Sequence, residues 1–241
     1  MAVTVARSVL LSELLSRAAG RTVHLVDRER LAAECRRSDQ PLYTAYRDVH
    51  RRQVTNVANP PTTWRGDRVH YAGGLLPTGE PVRSVGHWNP PGQIEVFQVL
   101  AGRVVILVAR PDEPDHLSIA EYREGEMCVV PLNAFHLTYS PWQDSVVYNI
   151  YSSGGGWPPP DHTRKYDGEA APPHTLIFTA GQARAEQATV TPEPAQVDRV
   201  PLTADGLDLP ARLPSLLVDA SDEQLRELAA TFNTAPAVDR A

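Results

Sequence analysis

Residues 69–151 consist of short runs of β-branched and aromatic residues separated by glycine, proline and aspartate turns. Two of these runs, residues 94–100 and 103–109, are joined by an Ala-Gly step that suits a β-hairpin. Residues 126–130 and 145–151 are two more runs of the same kind. Several short strands at this spacing predict an all-β sandwich or barrel.

The two ends of the chain have a different character. Residues 3–20 carry apolar side chains at helical spacing together with charged ones, which predicts an amphipathic helix and not a signal peptide. Asp27 stands in the N-cap position of a second predicted helix, over residues 27–37. Near the other end, Ser221 and Gln224 form a capping-box pattern ahead of a short helix.

These changes of character divide the chain into three parts. Residues 1–60 are predicted to form an extension of helix and strand that packs on the barrel, and residues 61–157 to form the barrel itself. Residues 158–241 contain half of the 22 prolines and are predicted to be an extension that ends in the short helix. Within this extension, residues 185–200 have the composition of a polar linker.

Charge and cysteine content exclude several classes of partner. The net charge is −6 and no block of Lys or Arg occurs, which excludes nucleic acid and anionic membrane as main partners. No stretch approaches the ~18 apolar residues of a membrane span. Cys35 and Cys128 are too few and too far apart for a disulfide framework or a zinc finger, so both are predicted to be small buried side chains. The chain is expected to be a cytoplasmic protein with a small-molecule partner.

Four polar side chains are spaced so that they can meet at one end of such a barrel. His87 and Asn89 are two residues apart and therefore share one face of a strand. Glu95 opens the next strand, and His136 follows the strand predicted over residues 125–131. Polar groups buried there are costly unless they are satisfied, and a divalent ion satisfies all four. The alternative interpretations are that Glu95 forms a structural ion pair and that His87 and His136 are histidines without a metal-binding role.

The same residues resemble the two motifs of the cupin superfamily. The positions that match are Gly86, His87, Asn89, Glu95 and Gly102 in the first motif, and Gly125, Pro131 and His136 in the second. The closer likeness is to the cupin-type phosphoglucose isomerases, and it covers about residues 22–157. The resemblance implies a cupin-type double-stranded β-helix (jelly-roll) barrel and a divalent ion, Fe²⁺, Mn²⁺ or Zn²⁺, bound by His87, Asn89, Glu95 and His136. It also implies a homodimer.

The resemblance further implies catalytic roles for Glu95 and for Tyr46, which belongs to a segment similar to that family's pre-barrel strand. Three features depart from the family's pattern. Asn89 replaces the second histidine and Phe97 replaces a tyrosine. A His-x-Tyr pair expected after the last strand is absent at that spacing, although His162 and Tyr166 lie nearby.

Three functions are compatible with these residues. In an isomerase or epimerase of a sugar or sugar phosphate, Glu95 holds the ion or moves a proton, and Arg83 or Arg47 adds charge for a phosphate. In an oxygenase or lyase of a secondary-metabolite pathway, two histidines and one carboxylate hold Fe²⁺ with open positions. In a binding module, the barrel holds a small ligand without catalysis.

Overall fold

The computed structural model describes residues 5–19, 23, 25–55, 62–90, 92–110, 116–152, 175–177, 189–191 and 196–234. Within them the strands, in chain order, are β1 (Val5–Leu10), β2 (Pro41–Val54), β3 (Thr62–Tyr71), β4 (Val82–Arg83), β5 (His87–Trp88), β6 (Glu95–Ala101), β7 (Arg103–Ala109), β8 (His116–Arg123), β9 (Met127–Val130), β10 (Phe135–Ser140), β11 (Ser145–Ser152), β12 (Thr175–Ile177), β13 (Thr189–Thr191) and β14 (Gln196–Asp198). The helices are α1 (Leu11–Ala19), α2 (Arg28–Arg37), α3 (Leu213–Asp219) and α4 (Asp222–Thr234).

Two sheets form the body of the protein. The first has the order β1-β2-β3-β11-β6-β9, and the second has the order β14-β8-β7-β10-β4, with β5 also paired to β10. Every pairing within them is antiparallel except that of β14 with β8. The all-β architecture that was predicted, with short helices near both ends of the chain, is confirmed within the described residues.

Strand alternation separates an inner from an outer face. On β6, Phe97 and Val99 belong to the inner core together with Ile106 and Val108 of β7, which lies in the other sheet. The intervening residues of the first sheet, such as Val96, pack outward against apolar residues of α3 and α4. Each fully buried aliphatic side chain contributes roughly 1.5–3 kcal/mol, so both faces stabilise the sheet.

The amino-terminal prediction is half wrong. The helix expected over residues 3–20 begins only at Leu11, because Val5–Leu10 is strand β1 and pairs with β2. Pairing with the edge of the sheet outweighs the helical spacing of the apolar residues there. The second predicted helix is confirmed as α2, and the side chain of Asp27 caps it by accepting a hydrogen bond from the Arg30 amide at 2.9 Å.

The carboxyl-terminal helix is also confirmed, with a second helix before it. The Ser221 hydroxyl accepts a hydrogen bond from the Gln224 amide at 3.1 Å, and the Gln224 side chain accepts one from the Ser221 amide at 2.8 Å. This reciprocal pair is the predicted capping box, and α4 follows it. Helix α3 was not predicted. Of residues 185–200, expected to be a linker, 189–191 and 196–198 are strands β13 and β14, and residues 185–188 and 192–195 lie outside the described residues.

Strands from the first 60 residues belong to the barrel wall. Strand β2 pairs with β3 along most of its length, and β1 extends the same sheet by one more strand. The division of the chain into three parts stays a prediction, and residues 158–174, including His162 and Tyr166, lie outside the described residues. Among the described helices, none is both long and apolar enough to cross a membrane.

Candidate metal centre

Three of the predicted ligands meet at one end of the barrel. His87 on β5 and His136 on β10 are cross-strand neighbours, and their ring centroids are 4.3 Å apart. Glu95 reaches them from β6, in the opposite sheet. One ligand atom from each of the three side chains lies within 4.8 Å of the others. The two sheets therefore bring together residues that the chain separates by up to 49 positions.

The spacing of the donor atoms suits a single divalent ion. Glu95 Oε2 lies 3.2 Å from His136 Nε2, and Asn89 Oδ1 lies 3.3 Å from the same nitrogen. Two ligand atoms that are each about 2.1 Å from one ion are about 3.0 Å apart at a right angle and about 3.4 Å apart in a tetrahedron. Glu95, His136 and Asn89 are at most 4% exposed, so an ion there would be largely shielded from solvent.

Asn89 contributes both a donor and an acceptor to this centre. Its Oδ1 faces His136 and accepts a hydrogen bond from Gln93 Nε2 at 3.0 Å. Its Nδ2 is buried and has no hydrogen-bond partner among the described residues. A buried amide donor left in this state costs about 1–3 kcal/mol, which favours a bound group that accepts a hydrogen bond from it.

Two amide side chains that sequence analysis did not single out orient Glu95. Asn149 Nδ2 donates to Glu95 Oε1 at 2.7 Å, and Gln93 Nε2 donates to Glu95 Oε2 at 3.0 Å. Strand alternation could have indicated both residues. Gln93 precedes Glu95 by two positions, and Asn149 is a lone amide within the apolar strand β11. Both are buried, so they hold the carboxylate in one orientation.

Apolar neighbours close the centre on the side of β6. The ring of Phe97 packs against that of His136, with centroids 5.1 Å apart. Cys128 on β9 lies opposite Phe97 in the sheet. Burial raises the pKa of the Cys128 thiol to about 12, so it stays neutral and behaves as the small buried side chain that was predicted.

Two other predicted functional residues lie elsewhere. Tyr46 on β2 packs against the ring of His70 at a tilt of 56° and lies beneath the guanidinium of Arg68. Alternation places both of these residues on the outer face of β3. Arg83 is buried against the ring of Tyr139, in the cluster on the outer face of the second sheet. The catalytic role of Tyr46 and the phosphate-binding role of Arg83 stay predictions, and these placements do not support them.

A second polar cluster lies on the inner face of the first sheet. Arg47 forms an ion pair with Asp67 at 2.6 Å, and Arg65 forms one with Asp48 at 3.1 Å. The two ion pairs are joined because the Asp48 amide donates to Asp67 at 2.8 Å. Arg65 and Asp67 are 6% and 0% exposed, so these charges are inside the barrel.

Comparison with known proteins adds partial similarities of fold. No protein-family model matches the sequence, and no curated protein matches it. An oxalate oxidase structure is 18% identical, with a TM-score of 0.32 over 38% of this chain and 42% of that chain. KdgF from Halomonas sp. is 13% identical, with a TM-score of 0.31 over 47% of this chain and 82% of that chain.

Oxalate decarboxylase from Bacillus subtilis is similar in the same partial way. It is 9% identical, with a TM-score of 0.32 over 47% of this chain and 30% of that chain. This chain therefore spans less than half the length of the oxalate oxidase and the oxalate decarboxylase that it matches. Similarity at this level does not define an activity, so the function has to be argued from the residues themselves.

Proposed function

We propose that this chain is a metal-dependent cupin enzyme that acts on a small molecule. The observation that carries the proposal is the set of ligand atoms from His87, Glu95 and His136, all within 4.8 Å of one another and supplied by both sheets. Fe²⁺, Mn²⁺ and Zn²⁺ all suit imidazole and carboxylate ligands. Such an ion, when bound, acts as a Lewis acid on a substrate oxygen.

The residues around the centre have separate tasks in this proposal. Glu95 is a fixed ligand, because both of its oxygens accept hydrogen bonds from buried amides. Gln93 and Asn149 set its orientation, as hydrogen-bond partners of metal ligands usually do. Asn89 completes the ligand set through Oδ1 and offers Nδ2 to a bound oxygen.

The sequence resemblance favours an isomerase or epimerase that acts on a sugar or sugar phosphate. That reaction needs a group that moves a proton between adjacent carbons. Glu95 is engaged at both oxygens, and Tyr46 packs on the outer face, so neither predicted catalytic residue is well placed for this task. This observation favours the oxygenase form of the second candidate, in which two histidines and one carboxylate hold Fe²⁺.

We also infer that the protein is a cytoplasmic homodimer. Support for the dimer comes from the resemblance to cupins. Light scattering on purified protein tests the dimer, and a mass equal to one chain would contradict it.

Metal analysis tests the proposed function directly. Protein purified without added metal is expected to contain about one divalent ion per chain, and His136→Ala is expected to lose it because one ligand is removed. His116→Ala is the matched control, since His116 lies on β8 and pairs with β14. Equal metal content in wild type and His136→Ala would refute the assignment.

The identity of the metal separates the candidate functions. Iron together with oxygen-dependent turnover favours the oxygenase. Aldose–ketose exchange that many divalent ions support favours the isomerase. A folded protein that takes up none of the three ions favours the non-catalytic binding module.

A further inference from the structure

A row of side chains connects the metal centre to the second polar cluster. Tyr151 on β11 pairs with Glu95 on β6 and, on its other side, with Arg65 on β3. Residues paired across antiparallel strands present their side chains to the same face of the sheet. Adjacent strands are about 4.8 Å apart, so the backbones of Arg65 and Glu95 are about 10 Å apart. A molecule that contacts both the metal centre and Arg65 would have to extend past Tyr151, which lies between them on the same face.

The Arg65 guanidinium is only partly used by its neighbours. Its Nη1 donates to both oxygens of Asp48, at 3.1 and 3.2 Å. Its Nε is buried and has no hydrogen-bond partner within the described part of the chain. The side chain is 7% exposed, so a donor is left over on a buried cation. Arginine presents five donors in a planar fork that matches a carboxylate.

The bulge in β2 does not by itself explain why an arginine side chain lies inside the barrel. The register of β2 shifts between Tyr46 and His50, and Asp48 has a φ of 52° within this bulge. Asp67 holds the bulge by accepting from the Asp48 amide, which needs no guanidinium inside the barrel. Bulges commonly re-aim side chains beside functional sites. Here the bulge brings Asp48 to Arg65.

The charges inside the barrel indicate the net charge of the ligand that it can bind. Arg47 and Arg65 are matched by Asp48 and Asp67, so the second cluster is neutral. Glu95 adds one negative charge, and a divalent ion changes this to one positive charge. Buried charge that is not compensated is costly. A ligand with one negative charge restores neutrality, whereas a phosphate ester with two negative charges exceeds it.

We propose that Arg65 binds the carboxylate of a small substrate whose oxygen-bearing end lies at the metal centre. This assignment rests on the proposed metal-dependent function and names its substrate class, a small hydroxy acid or oxo acid. It replaces the sugar phosphate suggested by the sequence. The bond to Arg65 is charge-assisted, and such bonds are about twice as strong as neutral ones.

Binding of matched acids and amides to Co²⁺-loaded protein tests the assignment. The probes are lactate, pyruvate and levulinate, their neutral amides, and inorganic phosphate, and the readout is the visible absorption of the bound Co²⁺. At least one acid is expected to bind about tenfold tighter than its amide, because only the acid can form a charge-assisted hydrogen bond with the Arg65 guanidinium. Phosphate is expected to bind more weakly than that acid.

Two variants locate the effect. Arg65→Gln combined with Asp48→Asn removes the cation without leaving its partner charged, and it is expected to abolish the preference for the acid. Arg51→Gln is the matched control, because Arg51 pairs with Arg65 in the sheet but is exposed. The control is expected to keep the preference.

The outcomes separate this assignment from the proposed function. If wild type binds Co²⁺ but no acid is preferred over its amide, or if phosphate binds tightest, the carboxylate site is wrong and the metal centre stands. A preference that survives in the double variant, or that Arg51→Gln abolishes equally, also overturns the role of Arg65. If wild type takes up no Co²⁺, the proposed function and the carboxylate site fail together.

Discussion

Gln93 is the residue on which the geometry of the metal centre most depends. Its single amide group donates to Asn89 Oδ1 and to Glu95 Oε2, each at 3.0 Å. It therefore sets the separation between the predicted ligands Asn89 and Glu95. Because Gln93 is 3% exposed, water cannot easily replace it in this role.

Gln93→Met is expected to weaken metal binding without removing a ligand. Methionine has a similar length but donates no hydrogen bond, so Glu95 and Asn89 lose their shared donor. Loss of such a hydrogen-bond partner typically lowers metal affinity about 10–100-fold. Competition with a chelator measures the affinity. Gln143→Met in an exposed turn is the control, and equal affinity in the two variants would show that Gln93 has no positioning role.

Some residues of the site could be predicted from the sequence, and others could not. His87, Glu95 and His136 were identified because few chemical roles explain imidazoles and a carboxylate at strand spacing. For Gln93 and Asn149 only strand alternation gives a signal, because amide side chains by themselves occur throughout protein surfaces. Arg65 was missed because its inward orientation depends on the pairing of β3 with β11, where its partner Tyr151 lies 86 positions further along the chain.

Among the secondary-structure elements, helix α3 shows how a distant strand can determine a helix. Its N-cap residue, Arg212, makes no side-chain capping bond. Instead, Gln98 on β6 accepts a hydrogen bond from the Leu213 amide at 2.8 Å and donates to the Ala211 carbonyl at 2.7 Å. The cap is supplied 115 positions away, so no local pattern predicted α3. Helix α4 was predicted because its capping box is local.

Gln98→Met is expected to destabilise the protein by about 1–3 kcal/mol, because it leaves the Leu213 amide and the Ala211 carbonyl without this partner inside a buried contact. Urea unfolding measures the change in the free energy of unfolding. Gln53→Met at an exposed position of β2 is the control and should change it by less than about 0.5 kcal/mol. A loss no larger than that of the control would mean that water or another group caps α3.

Across the whole molecule, sequence periodicity predicted the strands of the scaffold but did not predict the contacts between distant residues. The strands of the barrel follow from alternation and turn residues, and this is why the fold class was predicted correctly. Strand β1 and helix α3 depend instead on partners at distant positions, β2 and Gln98. The metal centre lies where the two sheets meet, so its ligands belong to both.

Because the ligands belong to both sheets, metal binding is expected to stabilise the folded protein. An ion that binds only the folded state stabilises it by about 2.7 kcal/mol at a concentration 100-fold above its Kd. For a protein of this size that corresponds to a rise in Tm of roughly 5–10 °C. Differential scanning calorimetry with and without Mn²⁺ is expected to show this rise in wild type and to show none in His136→Ala.

Gln98→Met is the informative comparison, because it weakens the scaffold at the outer face and leaves every ligand of the centre in place. Its Tm is expected to be lower than that of wild type, but the rise on adding Mn²⁺ should be the same, since effects at sites without shared partners are additive. A smaller rise in this variant would mean that docking of α3 also shapes the centre through β6. In that case the carboxyl-terminal helices would have to be counted as part of the functional site.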